Sequence, residues 1–218
     1  MDRVSETTPR RWTFRLAVVL VVLAVVGVCA FGWWRLWGVG GQAARTAARA
    51  ASDYTSGCNL DPGFNGGDAQ SVAADVTVGL LTLPGSSTAW PIRAGVSGTA
   101  LDAGVGWYQQ TAAPGQVGNM AVVGQRLVSG GPFDNILGIN TGDAITVKTC
   151  AATYTYTVVT APRDLTVQPV DTWVLDAVPG SPGAMPTDAW LTLIANQDVA
   201  PTPDRAVGFA KLTATTPA

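Results

Sequence analysis

The chain has 218 residues, 47% of them hydrophobic and 13% charged, with a formal net charge of −2 and no histidine. Without imidazole the commonest general base and metal ligand are missing, which excludes Ser–His and Cys–His catalysis and histidine-zinc sites. From Ala50 onward the chain is mildly acidic, and its scattered single charges form no basic patch to neutralise phosphates, which argues against nucleic acid as a partner.

Charge divides the sequence in two. Through Arg49 there are seven Arg against Asp2 and Glu6, whereas from Ala50 onward six basic residues stand against thirteen acidic ones. Within the first part lies Leu16–Trp34, nineteen residues without a charge, which at helical rise covers the about 30 Å of a bilayer core. Arg10, Arg11 and Arg15 flank it on one side and Trp33, Trp34 and Trp37 on the other, the arrangement that keeps an N-terminus in the cytoplasm and seats indoles at the far interface. A cleaved signal peptide fits less well, because the run exceeds the usual length of about 7–15 residues and no A-x-A site closes it. Cys29 follows Val28 and reads as a lipid-facing thiol rather than a lipidation site. The expectation is therefore a cytoplasmic segment at 1–15 and a transmembrane signal-anchor helix at 16–37, with everything beyond it outside the cell membrane.

Residues 38–72 are expected to form a stalk and lead-in. QAARTAARAAS, from Gln42 to Ser52, is alanine-rich with Arg45 and Arg49 one turn apart, which predicts a short helix. GCNLDPGFNGG, from Gly57 to Gly67, has turn chemistry.

Roughly 170 residues remain after the apolar segment, enough for one domain with a core. In that domain, expected at 73–213 with a short tail at 214–218, the apolar pattern changes to period two. Strands are predicted at Val76–Leu83, Trp90–Val96, Met120–Val123, Ala144–Thr149, Thr153–Thr160, Thr172–Leu175, Trp190–Ala195 and Ala206–Leu212. Helical turns are predicted only around Thr99–Gly104 and Pro132–Leu137. The class is all-β, a closed barrel or a sandwich. The glycine pairs of GVGWY and VSGGPF lack the lysine of a phosphate loop and read as turns. Cys58 and Cys150, the two cysteines beyond the apolar segment, read first as a disulfide in an oxidising exterior; two free buried thiols are the alternative.

Several blocks, in order, resemble the class E sortases, membrane-anchored cysteine transpeptidases of high-GC Gram-positive bacteria. LLTLPGSSTAWPIRAGVSGTAL resembles their first strands. GVGWYQQTAAPGQVGNMAVVGQR is similar to their G-P-G-H-Y…P-G…G-N-x-x-x-x-G-H-R block, and GPFDNILGINTGDAITVKT to their P-F…L…L…G-D-x-I-x-V segment. TYTYTV and DTWVLD follow in the family's order, WLTLIANQ stands in the place of L-T-L-T-T-C-H, and DRAVGFAKL in that of the arginine-bearing last strand. The resemblance spans roughly Val76 to Leu212 and implies an eight-stranded sortase-like β-barrel.

It also implies a site built on a cysteine nucleophile, a histidine and an arginine. Aligned on these blocks, the histidine position is Gln125, the cysteine position Asn196 and the arginine position Arg205, while a nearby family histidine has become Trp107. An amide neither attacks a carbonyl nor titrates near neutrality. The expected function is therefore that of a catalytically inactive, sortase-like envelope protein binding a peptide segment or protein partner, with no cofactor and no metal. The alternatives are a structural ectodomain of a membrane assembly and an enzyme with a relocated site, for which Asp198 and Asp204 are the candidate acids. For Arg205 the plain alternative is an exposed ion pair with one of those two aspartates.

Overall fold

Period-two alternation closes into a ring. In the computed structural model, which describes residues 10–38, 40–60, 72–126, 131–198, 200 and 202–218, the strands are β1 (Thr77–Thr82), β2 (Trp90–Ala94), β3 (Val105–Trp107), β4 (Gly118–Val123), β5 (Ala144–Lys148), β6 (Ala152–Thr160), β7 (Thr166–Val167), β8 (Ala189–Asn196) and β9 (Arg205–Pro217). They run in the order β6-β5-β1-β2-β3-β4-β8-β9-β7, and β6 also pairs with β9. That last pairing joins eight strands into a closed, mixed barrel. The two-residue β7 hangs on β9 outside the ring. Most neighbours are antiparallel, but β2–β3 and β4–β8 are parallel, so the chain must cross over between them.

Closure satisfies the strand edges and buries one side of each strand. Leu81, Ile92, Met120, Ile145, Tyr156 and Leu193 meet inside the ring, each no more than 1% exposed. Burial pushes the Tyr156 phenol up to about 12, against a smaller opposing effect of its bond with Gly115. In that bond the Gly115 N–H donates to the Tyr156 hydroxyl at 2.9 Å. Gly115 has φ +76°, and a Cβ there would lie 2.1 Å from the Tyr154 ring, so only glycine makes this turn.

The helices are α1 (Arg10–Gly38), α2 (Gly40–Leu60) and α3 (Gly98–Ala103). The chain divides between Val39 and Gly40 into two units. α1 is 29 residues long, and its described large apolar side chains, Val18 through Phe31, are 46–72% exposed. Among the described residues no helix is long and apolar enough to cross a membrane. The side chains described in α1 cover only 18–32, short of the about 20 apolar residues a span needs. The side chains of Trp33, Trp34 and Trp37 lie outside the described residues.

Several expectations are corrected. The helix predicted from Gln42 to Ser52 runs from Gly40 to Leu60, taking in the first residues of the supposed turn, whose remainder lies outside the described residues. Nor is it a free stalk. Ala47 is 1% exposed, the Tyr54 hydroxyl donates to Val78 O at 3.1 Å, and Cys58 is bonded to Cys150. Burial raises the Tyr54 phenol pKa, partly offset by a hydrogen bond with the Cys150 backbone.

Thr172–Leu175 is a 3-10 turn, not a strand. The glycine-bearing GVGWY is not a turn but contains β3, where a Cβ on Gly106 would come within 2.7 Å of Gly95 O. The expected tail from 214 continues β9 to Pro217, paired with Ala152.

Candidate functional site

The site is assembled by register. β4 and β8 run side by side in parallel from Gly118↔Ala189 to Val123↔Ile194, and Gly124 N–H donates to Ile194 O at 3.1 Å beyond the last pair. Two residues on, Gln125 stands level with Asn196. On the other side of β8 the antiparallel register pairs Asn196 with Arg205. The three predicted positions thus meet at one end of three adjacent chain segments.

Alternation sets which way they face. Leu191, Leu193 and Ala195 belong to the barrel core, as do Met120 and Val122 of β4 and Ala210 of β9. The intervening residues face outward, with Ile194, Val207 and Phe209 forming a second apolar cluster with Val123, Tyr108 and Trp173. Gln125, Asn196 and Arg205 continue that outer face. Asn196 is exposed, and Gln125 and Arg205 are half-buried.

Their hydrogen bonds show what each can do. Gln125 Nε2 donates to Asp102 Oδ1 on α3 at 3.2 Å, and its backbone carbonyl accepts from Phe133 N–H at 3.2 Å. Arg205 Nη1 donates to the carbonyls of Thr202 and Asp204, both at 3.0 Å. The alternative reading of Arg205, an ion pair with Asp204 or Asp198, is not seen among the described residues. Asp204 instead accepts from Gln168 Nε2, and Asp198 from Thr202 Oγ1 at 2.8 Å. The two acids have separate partners and form no carboxylate pair.

Two residues at this end escaped sequence reasoning as site members. Arg126 Nη1 donates to Asn196 O at 3.3 Å and to Gln197 O, so it fixes the end of β8. Its signal was adjacency to Gln125 within GQR. Asp102, the partner of Gln125, lies in a turn that sequence placed correctly but to which it gave no role.

The outer face beside the site is roofed by the 3-10 turn Thr172–Leu175. Trp173 packs on Phe209 with ring centroids 6.0 Å apart, and Val174 is 5% exposed. The turn is fastened from below by Asn119, whose Nδ2 donates to Val174 O at 2.9 Å and Asp176 O at 3.0 Å while its Oδ1 accepts from Thr192 Oγ1 at 2.6 Å. That amide is 1% exposed and both its ends are satisfied.

The remaining candidates lie elsewhere. Trp107, which the sequence resemblance alone sets against a family histidine, is a core residue whose Nε1 donates to Thr111 Oγ1 at 3.2 Å and Ala112 O at 3.1 Å. Cys58 and Cys150 form a disulfide that joins α2 to the β5–β6 turn. Among the described residues no group of His, Cys, Asp or Glu could hold a metal ion. A cleft of about 360 Å³ opens where β4 begins, between Gln110, Val117 and Pro186, and another of about 300 Å³ lies between Trp90 and Pro132. Gln125, Asn196 and Arg205 line neither.

The chain thus forms a closed mixed barrel with Gln125, Asn196 and Arg205 gathered at the shared end of a parallel strand pair and the next antiparallel strand. The sequence model of the Sortase domain matches residues 81–213, and the chain belongs to the sortase family. Among solved structures it is similar to a SrtA sortase from Actinomyces oris, at 29% identity over 67% of this chain and 85% of that one, with a TM-score of 0.62. It is also similar to sortase E from Streptomyces avermitilis, at 28% identity over 67% and 93%, TM-score 0.59. A third likeness is to sortase E1 from Streptomyces coelicolor, solved with a tripeptide in the active site, at 28% identity over 65% and 90%, TM-score 0.57. No curated protein matches the chain.

Proposed function

We propose that this chain is a membrane-anchored member of the sortase family that does not perform transpeptidation and instead holds a peptide segment or protein partner at the β4–β8–β9 end. One observation carries the reading. At three positions brought level by strand register, amides stand where the family's thiol and imidazole are aligned, and the guanidinium alone is kept.

Acyl transfer by this route needs a thiolate to attack the carbonyl and an acid–base group to move the proton. Asn196 supplies no nucleophile and Gln125 no titrating proton. In a serine protease, the handiest measure of scale, removing one core member of the triad costs on the order of 10⁶ in turnover. Relocation finds no support either: Cys58 and Cys150 are bonded to each other, and Cys29 belongs to α1. What two amides and a guanidinium can do is donate to and accept from an extended backbone. The tripeptide in the active site of the Streptomyces coelicolor enzyme illustrates the kind of occupant.

The anchor belongs to the same reading. Nineteen uncharged residues lie within the 29-residue α1, and Arg10, Arg11 and Arg15 hold the N-terminus on the cytoplasmic side. The barrel then stands outside, in the oxidising setting where the disulfide persists.

The test is a comparison of the full chain in lipid nanodiscs with the double variant Gln125→His, Asn196→Cys, given a sorting-signal peptide and an amine acceptor. The parent is expected to form no transpeptidation product, and the double variant to form some if Arg205 and the outer face remain competent. Turnover by the parent would sink the reading. A structural ectodomain is the second reading, favoured by the arginines: one nitrogen each of Arg205 and Arg126 is already bound to carbonyls of the chain itself. Photocrosslinks to a partner from Asn196 support the first reading, whereas contacts confined to α1 or to barrel faces away from the β4–β8–β9 end support the second.

A further inference from the structure

α2 has two faces of different chemistry. Ala47, Tyr54 and Cys58 point to the barrel through burial, a hydrogen bond and the disulfide. At about 100° per residue, Arg45 and Arg49 fall within roughly 20° of the opposite direction. Both are exposed, and neither forms an ion pair among the described residues. Ser52 and Ser56 complete that outward face, exposed and uncharged.

The sequence around this face is one-sided. Between Glu6 and Asp53 there is no acid, but six arginines: Arg10, Arg11, Arg15, Arg35, Arg45 and Arg49. From Asp53 onward the domain is acidic. Arg45 is seven residues along the chain from Gly38, where α1 ends.

We propose that the outward face of α2 rests on anionic phospholipid headgroups through Arg45 and Arg49. The inference depends on α1 being a membrane anchor, as argued above. A tethered cationic face feels the negative surface potential of such a membrane, which reaches about one Debye length, and the guanidinium fork fits a phosphate in two-point contact. The acidic remainder of the domain is repelled by the same potential. Attraction on one face and repulsion elsewhere turn the α2 side of the domain toward the lipid.

The full chain is reconstituted in vesicles of phosphatidylcholine, or of phosphatidylcholine with about one-third phosphatidylglycerol, with a benzophenone amino acid in place of Ser52. After illumination, lipid adducts are read by mass. They are expected to be several-fold more abundant in the anionic vesicles and to fall to the neutral level at about 0.5 M salt. Arg45→Gln with Arg49→Gln should remove the several-fold preference for anionic vesicles and bring the yield to the neutral level, each arginine contributing up to about fivefold to surface partitioning. That variant keeps its melting temperature, because both side chains stand in solvent.

Equal yields in the two lipids, yields indifferent to the double substitution, or adducts to a second protein chain instead of lipid would each overturn the proposal. Alkaline extraction of the same vesicles tests the anchor separately. A chain retained in the pellet without charge-dependent adducts sinks the α2 inference alone, whereas a chain released by the wash sinks the anchor and the inference with it.

Discussion

The parallel pair β4–β8 has two unlike ends. At its start, Asn119 is fully buried with every side-chain group engaged, linking β4 to β8 through Thr192 and to the roof through Val174 and Asp176. At its finish, Gln125 and Asn196 face the surface, Arg205 bonds to carbonyls of its own loop and Arg126 to carbonyls at the end of β8. A buried amide without partners is costly, while an exposed one is replaceable at little cost. The difference teaches why substitution at the candidate site need not disturb the barrel. The groups that hold the fold and the groups that would perform transfer are at opposite ends of the same strands.

The comparison can be broken by measuring what each part contributes. The largest effect is expected away from both ends: Cys58→Ser with Cys150→Ser removes a cross-link over a sequence separation of 92 and should lower unfolding free energy by about 4 kcal/mol in denaturant titrations. A loss under about 1 kcal/mol would mean that Tyr54 and Ala47 hold α2 unaided.

Next, Asn119→Ala strands two carbonyls and the Thr192 hydroxyl and should cost about 2 to 3 kcal/mol, with Trp173 fluorescence shifting as the roof loosens. Alkaline pH should act on a similar scale. Burial favours the neutral phenol of Tyr156 and holds its pKa at about 12, above the ordinary 10.0, so its contribution is complete below pH 10 and is lost as the pH climbs to 12. Integrated, that is on the order of 2 kcal/mol, and Tyr156→Phe should flatten this alkaline limb of the stability curve. The smallest effect belongs to the far end. Asn196→Ala and Gln125→Ala should each change stability by no more than about 0.5 kcal/mol, and a loss several times larger would show that this end carries the fold after all.

How much the sequence revealed depended on what each segment presents to it. β4, β8 and the first half of β9 alternate inward and outward residues, so their existence was legible, while the positions Gln125, Asn196 and Arg205 followed from the blocks that resemble the sortase family. β3 was not, because three residues centred on Gly106 leave no alternation and the glycine is there for a close approach to Gly95. Thr172–Leu175 has strand composition, yet Val174 gives its carbonyl to the Asn119 side chain and not to a neighbouring strand. Such a long-range bond leaves no local trace. The end of β9 was taken for a tail because Thr213–Pro217 is exposed and polar, its order coming from pairing with β6. Arg126 and Asp102 went unassigned for the same reason: their meaning lies in partners across the fold.

The link between Cys58 and Cys150 also has a mechanical meaning. If the chain is pulled between its N-terminal helix and Ala218, tension leaves α2 at Cys58 and passes through the sulfurs to Cys150, so β1 to β5, which lie between those residues, are bypassed. The load falls next on β6, whose first residue Ala152 is paired with Pro217 near the other point of attachment. Force therefore peels β6 from β9 one pair at a time, starting from that end. Held in this way, the seam that closes the barrel is the part that yields first, and the β1–β5 segment carries no tension until the disulfide is reduced.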